Sequence, residues 1–165
     1  MTIPITSVTL DQSLSRAGPA AASFARLWTS LWAQDQLPQG LLELCRLTFA
    51  RLHRDQDELA ASNPLAGERP DMDVLSRLVA EDKAHDSPAF TDGEKAVLLF
   101  AEYYWTDTQS IPDEVADRVK AHFGDPGLVL LIEALGCIDG RIRTARCLRD
   151  MAASRSKMEE VAHVE

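Results

Sequence analysis

Apolar residues recur along this chain at helical spacing, and no stretch of useful length alternates with the period of a strand. Behind Pro19, a residue suited to a first helical position, Phe24, Leu27, Trp28, Leu31 and Trp32 fall at i, i+3, i+4, i+7 and i+8. The pattern predicts an amphipathic helix whose aromatic stripe enters the core or a subunit contact. Gln36-Leu37-Pro38 opens a second helix. Leu41, Leu42, Leu44, Cys45, Leu47, Phe49, Ala50 and Leu52 leave it only narrow polar gaps, so it is expected to be mostly buried. It carries one acid, Glu43, and runs into the ionisable cluster His53-Arg54-Asp55-Gln56-Asp57-Glu58.

The turn residues of Ser62 to Pro70 predict a loop. A shorter helix follows, with Val74, Leu75, Leu78 and Val79 on one face, ending near His85-Asp86-Ser87-Pro88 because proline disfavours helix in the residue before it. Thr91 and Glu94 have the spacing of a capping box, and the helix behind them is dense in apolar residues to about Trp105. Ile111-Pro112-Asp113-Glu114 starts another helix, with Val115, Ala116, Val119 and Phe123 on one side and Gly124 to close it. Asp125-Pro126 then opens a last long helix toward Arg149, where Gly136 and Gly140 are points of kink or close helix approach. The predicted organisation is an extended arm over residues 1–18, one all-α domain of six or seven helices over 19–153, and a frayed tail over 154–165.

Composition narrows the choice of partners. The chain of 165 residues is 45% hydrophobic and 26% charged, enough for one core, and its 17 basic against 26 acidic residues give a net charge of −9. That sign disfavours nucleic acid and anionic membranes as partners. The apolar run Gly127 to Ile132, stopped by Glu133, is far short of the ~20 residues of a spanning helix, and the N-terminus lacks the pattern of a secretory signal. Cys45, Cys137 and Cys147 are odd in number and widely spaced, which points to a reducing cytoplasm and to buried, inert thiols.

Taken in order, Leu31-Trp32, Leu37-Pro38, Leu42-Glu43-Leu44, Ala50-Arg51-Leu52-His53, Phe90-Thr91-Asp92-Gly93-Glu94-Lys95-Ala96, Pro112-Asp113-Glu114-Val115 and Leu128 to Leu131 resemble one family. It is that of the carboxymuconolactone decarboxylase and alkylhydroperoxidase D-like (AhpD-like) proteins, and the likeness runs over about residues 24 to 150. The resemblance implies an AhpD-like helical bundle that assembles as a homodimer, trimer or hexamer. In the peroxidase branch it also implies a Cys-x-x-Cys pair, with a glutamate twelve residues upstream of the first cysteine and histidines nearby to relay protons.

Counted in that frame, Glu43 keeps the glutamate position, while Asp55 and Glu58 occupy the two cysteine positions. Asp57 stands inside the pair where the family often has histidine, Ser62 stands at the following histidine position, and His53 lies just outside. Carboxylates do no two-electron thiol chemistry, so the family's peroxidase activity is disfavoured here.

Two readings of the rewritten segment follow. In the structural one, Asp55 and Glu58 form a capping box and Glu43 pairs with Arg46 at i, i+3. In the chemical one, Glu43, desolvated among leucines unless Arg46 or Arg51 pairs with it, and His53 form a general acid/base couple acting on a small organic acid or lactone. Arg51 or Arg54 would then meet the substrate's charge. The decarboxylase branch, which works without the cysteine pair, lends the second reading precedent by resemblance.

A metal site from His53, Asp55, Asp57 and Glu58 matches no specific motif and sits among arginines, so no metal and no cofactor is expected. His85, His122 and His163 read as surface residues. The functional expectations are therefore an acid–base enzyme or a non-catalytic, oligomeric or ligand-binding relative. The enzyme requires a cavity shared by Glu43 and His53. The relative requires Glu43 paired to arginine with no cavity beside it.

Overall fold

The computed structural model describes residues 3–15 and 17–162, with side chains through Ser156. These residues form seven helices and no strand: α1 (Leu10–Leu14), α2 (Pro19–Ala33), α3 (Gln39–Leu52), α4 (Gln56–Ala60), α5 (Met72–Ala80), α6 (Asp92–Thr106) and α7 (Asp113–Ala162). The all-α expectation holds.

The core is built around α3, which packs against α4, α5, α6 and α7, while α6 lies along α7. Every residue of α3 from Gly40 to Ala50 is buried. Each large apolar side chain buried there contributes roughly 1.5–3 kcal/mol. Trp28 and Trp32, each 2% exposed, meet edge to face with ring centroids 5.3 Å apart. The aromatic stripe of α2 is therefore core within the chain.

Local signals set several of the helix ends. Thr91 Oγ1 accepts the Glu94 amide at 3.2 Å and Glu94 Oε2 accepts the Thr91 amide at 2.9 Å, a complete capping box. Gly124, at φ 69° and ψ 177°, breaks α7 where the sequence places a stop, in a region of backbone space that is essentially glycine's alone. Pro126 then lies in the first turn of the arm beyond it. Gly136 serves close approach, since a Cβ there would stand 3.1 Å from the Tyr104 hydroxyl.

Several expectations are corrected. Helix α5 ends at Ala80 rather than near His85: Asp82 adopts φ 59°, and the Lys83 amide reaches back to the Leu78 carbonyl at 2.8 Å, closing the helix with a Schellman turn. Helix α7 runs through Ala162, beyond the residue 154 at which the tail was expected to begin. The N-terminal arm is not fully extended. It contains α1, its Leu10 is fully buried, and Arg141 clips it down through the Ser7 carbonyl at 2.8 Å and Asp11 at 2.8 Å. The Arg141 guanidinium lies 4.4 Å from the Trp28 ring centroid, a cation–π contact that binds arm, α2 and α7 together.

The long helix also exceeds the short apolar run seen in sequence. Over Asp113–Ser156 it holds an 18-residue window of mean hydropathy 1.4, long and apolar enough to cross a membrane, of which 33% is buried. Within the bundle, Leu131, Leu135, Ile138 and Ile142 of this helix are core residues.

Candidate functional site

Helix α3 ends in a Schellman turn that creates the site. The Asp55 amide donates to the Ala50 carbonyl at 2.9 Å and the Arg54 amide to Arg51 at 2.9 Å, with Arg54 at φ 55° in the left-handed position that usually belongs to glycine. The chain reverses at once into α4, so Asp55 closes one helix and caps the next, accepting the Glu58 amide at 3.1 Å.

The reciprocal half of the expected capping box is absent. Asp55 has already given its amide to Ala50, and the Glu58 side chain turns inward instead. There Glu58 Oε2 accepts the Ser7 amide at 2.8 Å, and Oε1 accepts the Ser7 hydroxyl and Arg46 Nη1, the latter at 2.6 Å.

Arg46 is the hub of this buried centre, with both its side chain and that of Glu58 at 0% exposure. Its Nε bridges both Glu43 oxygens at 3.1 and 3.0 Å, and Nη2 donates to Glu43 Oε1 at 2.5 Å and to the Ala61 carbonyl at 2.9 Å. Nη1 serves the Glu58 carboxylate and the Glu58 carbonyl, the second at 2.8 Å. Every N–H of the guanidinium is thereby used. Burial works against the charged form of Arg46, and Glu43 and Glu58 more than restore it, holding its pKa above the ordinary value. Asn63 Nδ2 adds a bond to Glu43 Oε2 at 2.9 Å. Glu43 is thus paired to arginine, as the structural reading requires.

His53, the helix cap, faces elsewhere. Its Nε2 lies 2.7 Å from Asp139 Oδ1 and its Nδ1 lies 2.9 Å from Arg146 Nη1. Arginine only donates and a carboxylate accepts, so the ring is the tautomer with hydrogen on Nε2 and a lone pair on Nδ1. A nitrogen that donates to Asp139 does not also accept the Trp105 Nε1–H at 3.4 Å; that contact is an edge-to-face packing of the two rings. Burial raises the Asp139 pKa, but hydrogen bonds from His53 and Arg143 outweigh it and hold the carboxyl below its usual range. Both ring nitrogens of His53 are occupied by protein.

Asp55 completes the arrangement. Its carboxylate, 3% exposed, caps α4 and accepts from Arg149. The two substrate-binding candidates stand apart from this centre. Arg51 is clasped between Glu102 at 2.5 Å and Asp82 at 2.9 Å, and Arg54 is exposed on the turn. His85, read as a surface residue without a partner, is half-buried and lies 3.1 Å from Glu102 Oε2. His122 is exposed, and His163 lies outside the described residues.

A groove of about 710 Å³ reaches His53 without reaching Glu43. Its other walls belong to α7: Arg143, Arg146, Cys147, Asp150, Met151, Ser154 and Arg155. Glu43 and His53 therefore do not meet in this groove. The signal for its walls was present in the sequence, since Arg143, Arg146, Cys147, Asp150, Met151 and Ser154 recur at steps of three or four residues and so share one side of a helix.

Cys147 is exposed in this groove, which corrects the expectation of three buried thiols. Burial pushes Cys45 up to about 12 and Cys137 up to about 11, as befits inert thiols. The i, i+4 relation between His53 and Asp57 does not form, because α3 ends between them. Among the described residues no group of three or more His, Cys, Asp or Glu side chains is placed to hold a metal ion.

Comparison with protein-family models, with curated proteins and with solved structures returns no match for this chain.

Proposed function

We propose that this chain is a non-catalytic relative of the AhpD-like proteins, in which the reaction-centre segment has become a structural clamp and the protein acts by ligand binding and self-assembly. The observation that carries this reading is the Arg46 hub. Glu43 and Glu58 stand at the family's glutamate and second cysteine positions, and both are spent on one buried guanidinium. A general base needs a lone pair within reach of a substrate proton. The lone pairs of Glu43 are taken by Arg46 and Asn63, and those of Glu58 by Arg46 and Ser7.

The acid–base reading retains one supporting observation, the opening of the groove at His53. Against it, Nδ1 accepts from Arg146 and Nε2 donates to Asp139, so catalysis by this imidazole would require dismantling both contacts. The deciding experiment assays purified protein for dithiol-dependent peroxide turnover and for decarboxylation of small lactone acids, alongside Glu43→Gln. The expectation is no turnover in either protein and a loss of stability in the variant. Turnover by wild-type protein that vanishes in a Glu43→Gln variant of normal stability would sink the proposal.

A further inference from the structure

We infer that the α7 groove beside His53 is a binding site for a small organic anion with an apolar body, held by Arg143, Arg146 and Arg155. The inference rests on the ligand-binding half of the function proposed above and assigns it a place and a chemistry. At about 710 Å³ the groove falls in the range of roughly 300–1,000 Å³ typical of small-molecule sites. Three arginines and one acid, Asp150, line it on a chain whose net charge is −9, with Asp139 and Asp55 behind the wall offsetting part of that positive charge. The arginines that face the groove favour an anion.

The arginines nearest His53 are also preset. Arg143 Nε is held by Asp139 at 2.6 Å, and Arg146 Nη1 is held by His53 at 2.9 Å, while Asp139 holds His53 at 2.7 Å. Asp55 and Asp139, with side chains 3% and 21% exposed, steady the guanidinium groups from behind the wall. Among the described residues Arg143 bonds through Nε alone, so its two Nη groups keep their donors, and Arg146 keeps Nη2. A planar fork with spare donors suits carboxylate, sulfonate or phosphate oxygens.

Met151, 59% exposed, supplies an apolar wall one turn beyond Cys147. A thioether on a flexible stem accommodates aromatic or aliphatic bodies of varied shape. Asp150 is placed to accept from a hydroxyl or amine on the ligand and disfavours a second anionic group near it.

The test uses two fluorescent probes that differ in one feature. 8-Anilinonaphthalene-1-sulfonate carries a sulfonate, and N-phenyl-1-naphthylamine has the same rings without it. Titrated into the full chain, the sulfonate is expected to bind at one saturable site, about tenfold more tightly than the neutral probe. Raising salt from about 20 to about 300 mM weakens the sulfonate and leaves the neutral probe unchanged.

Arg143→Gln/Arg155→Gln weakens the sulfonate by about tenfold, and Met151→Asp weakens both probes. Equal binding of the two probes, or sulfonate binding indifferent to salt and to the arginine substitutions, would overturn the site by reducing it to an apolar patch. These outcomes are separate from those of the turnover assays: catalysis would defeat the function proposed above without moving the probe titrations, and a failed titration leaves the clamp at Arg46 intact.

Discussion

Arg46 and Glu58 are joined twice through one nitrogen, since Arg46 Nη1 donates to the Glu58 carboxylate at 2.6 Å and to the Glu58 carbonyl at 2.8 Å. The guanidinium therefore fixes both the side chain and the backbone of α4 beneath α3. A buried charge of this kind survives because its partners are complete, and removing one partner strands the others in low dielectric. Arg46→Met is expected to cost about 3–5 kcal/mol, read from urea denaturation with an unchanged m-value. A cost under about 1 kcal/mol would show that water or rearrangement satisfies both acids, and the clamp would lose its meaning.

The turn just before α4 stores a small strain. Arg54 is exposed and adopts φ 55°, where a Cβ crowds the backbone. Arg54→Gly relieves that crowding at some cost in unfolded-state entropy, and a net gain of about 0.5–1 kcal/mol is expected. Thermal and urea unfolding of the single variant check it. Destabilisation would mean that the arginine side chain makes a contact worth more than the strain.

Thiol accessibility divides the cysteines. Cys45 and Cys137 are buried and Cys147 is exposed. A colorimetric disulfide reagent should label one thiol quickly in native protein and all three after denaturation. Cys147→Ser should abolish the fast phase. Fast labelling that persists in this variant would place another thiol at the surface.

Cys45 also predicts an alkaline limit. Its folded pKa, raised by burial and by the nearby Glu43 charge to about 12, lies above the ordinary value of 9.0. A raised pKa means that the folded state keeps a proton which the unfolded state releases, so the stabilisation is full below pH 9 and is lost as pH rises toward 12. Over that window the wild-type protein should lose roughly 1 kcal/mol per pH unit more than Cys45→Ala. Parallel pH profiles for the two proteins would contradict it.

Much of the fold was legible because its signals are local. The Thr91–Glu94 box, the stop at Gly124 and the restart at Pro126 each depend on residues within a turn of one another, and each appears where the pattern puts it. The pairing of Glu43 with Arg46 is also local, an i, i+3 contact weighed from spacing alone. The end of α5 was harder to read, since an aspartate rather than a glycine takes the left-handed position.

The destination of each charged group was another matter. Sequence periodicity determined that α3 is buried, that the bundle is all-α and that an acid stands inside it. Tertiary structure decided that Glu58 turns from its cap to meet Ser7, 51 positions away, and that His53 meets Asp139 and Arg146 across 86 and 93 positions. Helical repeat confines such side chains to a face, but it does not say which distant element covers that face. In a low-dielectric interior, the identity of that covering element is what separates a reactive carboxylate from a clamped one.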